Sequence, residues 1–175
     1  MNILIKEVRK VKKIKPETPH LFLRLNNYNG YDFIKEHKNC IDKNGYVWLL
    51  KVGKTINRDF IKSIIEKNGG IILKSSAKDG NKFYYCNLLD YEIPKNDKEF
   101  IFPEYYKEFF DYEGYNLNDL KNTGYWFKIS EIKEIDRKIV DSFVICNGKK
   151  PMLDVALYTR VVHMYIENSK EIEIK

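Results

Sequence analysis

Two stretches of the sequence combine a tryptophan with a nearby lysine, and these residue types could bind a nucleic-acid base. The first is GYVWLLKVGK at residues 45–54, and the second is GYWFKI at residues 124–129. They contain the two tryptophans of the chain, Trp48 and Trp126. An indole ring can stack on a base, while a lysine can contact the neighbouring phosphate. The same side chains are also common core residues of strands, so both interpretations stand.

Several tyrosines on or beside predicted sheet elements extend this candidate site. Each ring that stacks on a base contributes on the order of 1–3 kcal/mol, and neighbouring polar groups can recognise the base edge. A position in the core is the competing interpretation for every one of these rings. The tyrosines concerned are Tyr84, Tyr85, Tyr105, Tyr106 and Tyr125.

Motifs of the common enzyme classes are missing from the sequence. It has no glycine-rich phosphate or dinucleotide loop, no zinc-protease motif and no serine-hydrolase elbow. The three histidines and the three cysteines lack the spacing of metal ligands, and the cysteines are better explained as free buried thiols. Asp90 and Glu92 fit a solvated strand face. We therefore predict no catalytic residue, no metal site and no cofactor, and a non-catalytic protein is favoured.

The charge of the chain is basic and is concentrated near the N-terminus. The 31 Lys and Arg residues exceed the 25 Asp and Glu residues, which gives a formal net charge of +6. Most of this excess lies within residues 1–15. Such a segment is typical of nucleic-acid binding, although arginine, the better ligand for phosphate and base edges, is scarce.

Periodicity along the chain predicts six or seven strands and three or four short helices. Residues 20–25, HLFLRL, alternate as a strand with one apolar face. Asn57 can cap a helix that continues to Lys67, and the following Asn-Gly-Gly would end it through a left-handed residue. Asp-Gly within residues 78–81 indicates a hairpin turn between two strands.

Other segments complete the predicted architecture. Residues 5–14 suit either a basic amphipathic helix or an edge strand, and residues 31–42 suit a helix. The tail, residues 169–175, is an edge strand or a frayed end. Strands and helices do not alternate regularly, which favours an α+β fold with a mixed or barrel-like sheet.

No apolar run approaches the roughly 18 residues that cross a bilayer and no signal peptide is evident, so we expect a cytoplasmic protein without membrane association.

The order of these segments resembles that of EVE domains, members of the PUA-like superfamily. VWLLKVGK is similar to the opening strand of the family, and GGIILKSSAKDGNKFYYCNLL, FPEYYKE and GYWFKISEIKEI are similar to its later segments. The resemblance covers residues 45–165. It implies an α+β fold with a mixed, partly closed β-barrel and short surrounding helices. Residues 1–44 would then be a basic N-terminal extension packed on a domain of residues 45–175.

The resemblance also implies a pocket for a nucleobase, often a modified base flipped out of its strand. RNA or DNA is then the expected partner, and the basic extension adds an electrostatic contact that weakens with salt. Trp48 and Trp126 would form the walls of the pocket. The other expected contacts are Ser75 and Ser76 at the base edge, Lys51 and Lys74 at phosphate, the tyrosines Tyr84, Tyr105 and Tyr125, and Lys10, Lys12 and Lys13 in the extension.

Two alternative functions fit the same sequence. The lack of catalytic motifs and the lysine-rich composition also fit a protein-interaction factor or inhibitor encoded by a mobile element, which would have a protein partner. Some PUA-like relatives are described as ribonucleases, and a metal-independent ribonuclease would place Lys51, Lys74 and Tyr84 around a phosphate.

Overall fold

The chain combines a mixed β-sheet with helices on both of its faces. The computed structural model describes residues 10–53, 55–114 and 124–175. Within these ranges it contains nine strands in two sheets and five α-helices, so the predicted α+β class is confirmed. Residues 116–124, NLNDLKNTG, read as a loop or short helix in the sequence; all of them except Gly124 lie outside the described ranges, as do the basic residues 1–9.

Strands and helices follow one another irregularly along the sequence. The strands are β1 (Lys12–Ile14), β2 (Pro19–Arg24), β3 (Val47–Lys51), β4 (Gly70–Lys74), β5 (Phe83–Tyr91), β6 (Tyr125–Ile135), β7 (Phe143–Ile145), β8 (His163–Asn168) and β9 (Ile172–Ile174). The helices are α1 (Phe33–Asn44), α2 (Arg58–Glu66), α3 (Tyr105–Glu113), α4 (Arg137–Val140) and α5 (Met152–Tyr158).

Most of the described strands belong to one sheet, the main sheet, in the order β3-β6-β5-β4-β2-β8-β7. Strand β2 runs parallel to β4, and every other neighbouring pair in this sheet is antiparallel. The small sheet pairs β1 with β9, which makes residues 12–14 an edge strand, one of the two predicted alternatives. The main sheet is therefore mixed, and neither of the two described sheets closes into a barrel.

Strand β2 lies inside the main sheet, between β4 and β8. Leu21 packs with the core on the α1 and α2 side, and Phe22 packs with the core on the side of α4, α5 and the small sheet. Both side chains are fully buried, so the expectation of a single apolar face is wrong. Helices cover both faces of the sheet at this point. Residues 19–24, assigned to an N-terminal extension from the sequence, are thus a central strand.

The connection from α2 to β4 depends on close backbone approach. The side chain of Asn57 accepts a hydrogen bond from the backbone N–H of Phe60, which confirms the predicted cap. At the other end of α2, Asn68 adopts the left-handed conformation, with φ of 59°. The two glycines that follow have a different role, because a Cβ on Gly69 would lie 2.0 Å from the carbonyl oxygen of Pro19. Glycine at this position lets β2 and β4 pair.

One predicted turn and one apolar stretch of the sequence differ in detail from the structure. Strands β4 and β5 do pair antiparallel, as predicted. Their connection is longer than a tight hairpin turn, because Ala77–Asp79 forms a short 3₁₀ turn within it. The apolar stretch from Leu157 to Asn168, which reads as one unit in the sequence, divides into the end of α5, a loop and β8.

Candidate functional site

Trp48 and Trp126 both lie in a buried aromatic cluster. Their side chains are 2% and 0% exposed, respectively. The indole N–H of Trp48 donates to the carbonyl of Glu99 at 2.9 Å, and the ring of Phe100 lies 4.6 Å from that of Trp126. Helix α3 contributes Phe110 and further rings to this cluster. The expectation that the two indoles wall a base pocket is therefore not met, because α3 and the segment before it cover this face of β3 and β6.

A different cavity, of ≈ 400 Å³, lies where β2, β3 and β4 end beside α3. Its volume falls within the range of about 300–1,000 Å³ that is usual for small-molecule sites. The floor is apolar and belongs to the core that packs on α1 and α2. Neither indole lines this cavity. The floor residues are Leu23, Leu25, Phe33, Leu49 and Leu73, and the aromatic wall consists of Tyr28, Tyr105, Tyr106 and Phe109.

Stacked rings hold the aromatic wall in place. Tyr105 stacks on Tyr31, with ring centroids 5.1 Å apart and an interplanar angle of 15°. On Tyr28 it stacks more loosely, at 6.3 Å and 18°. The hydroxyl of Tyr31 donates to a carboxylate oxygen of Glu108 at 2.7 Å. These contacts join the loop after β2 to α3, so the cavity has a preformed aromatic side.

The hydroxyl of Tyr106 belongs to a buried hydrogen-bond network behind the aromatic wall. Nδ1 of His37 lies 2.8 Å from the carbonyl oxygen of Phe33, so this nitrogen carries the proton. Nε2 then accepts from the Tyr106 hydroxyl at 2.7 Å, and the Tyr106 oxygen accepts from the backbone N–H of Leu50 at 3.3 Å. Burial lowers the pKa of His37 to about 4, which favours this neutral form. This hydrogen-bond network links α1, α3 and β3.

Cationic side chains stand at the polar side of the cavity. Lys51, at the end of β3, lines the cavity and is 7% exposed, and its burial lowers its pKa. Arg24, at the end of β2, also lines the cavity. Lys74 lies opposite Arg24 in the parallel register of β2 and β4. Burial, and to a lesser extent the charge of Arg24, lower the pKa of Lys74.

Lys74 does not contribute its ammonium group to this cavity. Its Nζ donates to the carbonyl of Ser75 at 2.9 Å and to the side-chain oxygen of Asn81 at 2.7 Å. Lys74 therefore braces the connection between β4 and β5. Tyr84 lines a neighbouring cleft and Lys51 lines the cavity, so the three candidates for a ribonuclease site do not share one cavity.

The remaining sheet candidates are distributed over two other clefts. Ser75 and Tyr84 line a cleft of ≈ 240 Å³ that shares Leu25 and Asn27 with the cavity. Tyr125 lines a different cleft, beside Arg58. The hydroxyl of Ser76 donates to the Asp79 carboxylate at 2.7 Å and so serves the turn. Of the predicted site residues, the structure thus brings Lys51 and Tyr105 together, with Ser75 and Tyr84 adjacent.

The three lysines predicted as electrostatic contacts of the basic extension have unequal environments. Nζ of Lys12 donates to the Tyr85 hydroxyl at 2.7 Å and to the side-chain oxygen of Asn87 at 2.6 Å. Burial lowers its pKa. Lys12 is therefore built into the fold, which corrects its assignment to a surface contact. Lys13 pairs with Glu173 at 3.7 Å, and Lys10 is exposed.

Sequence reasoning missed the residues that follow β2. Asn26, Asn27 and Tyr28 line the cavity, and they belong to the NNYNG segment that reads as an ordinary turn. Arg24 reads as the solvated face of a strand. An available signal was the run of two amides and a tyrosine directly after a predicted strand, because loops at strand ends commonly carry binding residues.

Among residues 10–53, 55–114 and 124–175, no group of three or more His, Cys, Asp and Glu side chains could hold a metal ion. In the same ranges, none of the helices has the length and apolar character needed to cross a membrane. Comparison of the chain with protein-family models, with curated proteins and with solved structures gave no match.

Proposed function

We propose that this chain binds nucleic acid and takes one base into the cavity between β2, β3, β4 and α3. The observation that carries the proposal is an apolar floor and a tyrosine wall beside two cations, Arg24 and Lys51. A nucleotide combines a flat apolar ring with polar edges and a negative phosphate. The cavity offers a complementary surface to each of these parts.

The polar rim supplies groups that suit a base edge. Asn26 and Asn27 are exposed at the mouth of the cavity, and asparagine amides can donate to and accept from a base. The side-chain oxygen of Asn27 already accepts from the backbone N–H of Phe33 at 3.0 Å, which fixes its orientation. Glu113 also lines the cavity, and its carboxylate would repel a phosphate placed next to it.

The buried floor of the cavity supports entry of an unpaired base. A base inside a duplex cannot reach a floor made of leucine and phenylalanine side chains, whereas a flipped or single-stranded base can. An apolar floor offers no hydrogen bond to an exocyclic amine, so a methyl substituent at that point costs little. The proposal therefore includes a modified base as a ligand.

The resemblance to EVE domains, and with it a partly closed barrel, belongs to the same proposal. Leu23 of β2 and Leu49 of β3 line one cavity, although β4, β5 and β6 separate their strands in the main sheet. In a flat sheet, four strand spacings of about 4.8 Å would put them roughly 19 Å apart. The cavity that these two residues share supports the partly closed form.

Binding of labelled oligonucleotides tests this function. The probes are 12-nucleotide single-stranded RNA and DNA, plain and base-methylated, and duplexes of the same sequences, measured by fluorescence anisotropy at two salt concentrations. We expect the wild type to bind a single strand, and Lys51→Met to weaken binding and reduce the salt slope by about one. Asn26→Trp should block the cavity mouth and abolish binding.

The matched control is Asn39→Trp, which adds the same ring to an exposed asparagine on α1 outside the cavity. It should bind as the wild type does. The proposed function is excluded if the wild type binds none of the probes at low salt, or if Asn26→Trp and Asn39→Trp bind equally well.

A further inference from the structure

The loop that joins α5 to β8 exposes apolar side chains beside the cavity. The rim loop is defined here as residues 158–162, the last residue of α5 and the loop that follows it; it ends at Val162, which lines the cavity and is 51% exposed. At its start, the ring of Tyr158 is 83% exposed. Arg160 and Val161 between them are also exposed. The tyrosine and the two valines among these five residues are exposed, so they bury little apolar surface and contribute little to the stability of the fold.

Arg24 anchors the rim loop to the end of β2. Its guanidinium donates to the carbonyls of Ala156, Thr159 and Val161, each at 2.6 Å. The backbone N–H of Arg24 donates to the carbonyl of Val162 at 3.2 Å. The residue that lines the cavity therefore also holds the loop in place.

Internal hydrogen bonds fix the loop further. The hydroxyl of Thr159 donates to the carbonyl of Val155 at 2.6 Å and accepts from the backbone N–H of Val161 at 3.3 Å. The exposed side chains are thus presented by a backbone with defined partners. A preformed surface of this kind loses little conformational entropy when it binds.

We propose that the rim loop binds the nucleotide next to the one whose base enters the cavity, with the Tyr158 ring stacked on that neighbouring base. This inference rests on the proposed function. Tyr158 is four residues from Val162, so it lies within about 14 Å of the cavity rim. A strand that inserts one base must place its next nucleotide at the rim, where a base loses its former stacking partner. An exposed aromatic ring can replace that partner.

Charge at the rim favours a nucleic-acid strand as the occupant. Arg160 is exposed in the middle of the loop, and the guanidinium of Arg24 donates to the carbonyl of the next residue, Val161. A phosphate that connects the inserted nucleotide to its neighbour would pass between the cavity and Tyr158. The loop thus pairs a stacking surface with a cation, as single-strand binding surfaces do.

The test measures binding of the full chain to a fluorescein-labelled 12-nucleotide single strand by anisotropy. We expect Tyr158→Ala to weaken binding about tenfold, because one stacked base is lost. Tyr158→Phe keeps the ring and should stay within about twofold of the wild type. Leu89→Ala, which shortens an exposed apolar side chain on β5 outside the cavity, is the control and should bind normally.

Other outcomes overturn the role of the rim loop alone or overturn the proposed function with it. If Tyr158→Ala binds like the wild type while Asn26→Trp does not bind, the rim loop has no role and the proposed function stands. If Tyr158→Phe is as weak as Tyr158→Ala, stacking is overturned. If Tyr158→Ala changes self-association in light scattering and leaves nucleotide binding intact, the loop is a protein contact and the inference fails. If the wild type does not bind any strand, the inference and the proposed function fail together.

Discussion

The hydroxyl of Tyr106 donates a hydrogen bond to Nε2 of His37, 2.7 Å away, and this contact requires an uncharged imidazole. The opposite ring nitrogen donates to the carbonyl of Phe33, so a second proton on the ring would have to displace the tyrosine proton. One side of the cavity therefore depends on the protonation state of a residue behind it.

Stability should fall as the pH is lowered from 6.5 to 4. Burial lowers the pKa of His37 to about 4 in the folded chain, from 6.5 when unfolded, so the unfolded state takes up the proton first. The stabilisation that neutral His37 contributes is complete above about pH 6.5 and is lost as the pH falls to about 4. A shift of this size corresponds to about 3 kcal/mol at 1.36 kcal/mol per unit. Burial lowers the pKa of His20 to about 4 as well, so its effect has the same sign.

Urea unfolding at pH 7 and at pH 4.5 measures this loss. His37→Gln should be less stable at pH 7 and should show a flatter dependence on pH over the same window. An unchanged pH dependence in that variant would show that His37 is not one of the titrating groups.

The two tryptophans should be shielded from solvent in the native state. Both indoles are buried, so acrylamide should quench their fluorescence weakly before unfolding and strongly in concentrated urea. Trp126→Ala should lower the free energy of unfolding by about 3–5 kcal/mol, because it empties a large volume in the aromatic cluster. Strong native-state quenching would instead place at least one indole in an open pocket.

Lys12 should matter for stability and not for nucleic-acid binding. Lys12→Met removes two hydrogen bonds, to Tyr85 and Asn87, and should cost about 1–3 kcal/mol in urea unfolding. Lys10→Met, at an exposed position two residues earlier, is the control and should leave the unfolding curve unchanged. The salt slope of oligonucleotide binding should be the same for Lys12→Met and the wild type. A reduced slope would return Lys12 to the binding surface.

Gly69 should tolerate no side chain. A Cβ there would lie 2.0 Å from the Pro19 carbonyl oxygen, so Gly69→Ala must push β2 and β4 apart, at a cost of about 3 kcal/mol. At Gly148 a Cβ meets no atom within 4 Å, and φ is +88°. Gly148→Ala should therefore cost only about 1 kcal/mol, from the left-handed backbone. Equal thermal unfolding shifts in the two variants would contradict the close approach.

Helices and strands that are specified by residues close together in the sequence were predicted well. The presence of a strand at β2 and the Asn57 cap of α2 follow from neighbouring residues alone. The orientation of the indoles does not. Period-two alternation places Trp48 on one face of β3, but whether that face is open depends on residues 93–102 and α3, which are distant in sequence.

The cavity was only partly predictable for the same reason. Lys51 and Tyr105 could be selected by residue type, since a cation and an aromatic ring suit a base. Arg24 and Asn26 join them only because β2 enters the middle of the main sheet and ends beside β3 and α3. A strand with polar alternate positions gives no indication, in its own sequence, that both of its faces will be covered.

The small sheet has a consequence for the order of folding. Lys12 of β1 lies opposite Ile174 of β9, so two segments that are far apart in the sequence must meet. The neighbouring pair β4 and β5 can form early because few residues separate its strands, whereas this pair closes a loop that contains almost everything else. During synthesis, residues 12–14 emerge first and must wait for residues 172–174. We therefore expect this pair to form late, after strands of the main sheet that are close in sequence have paired.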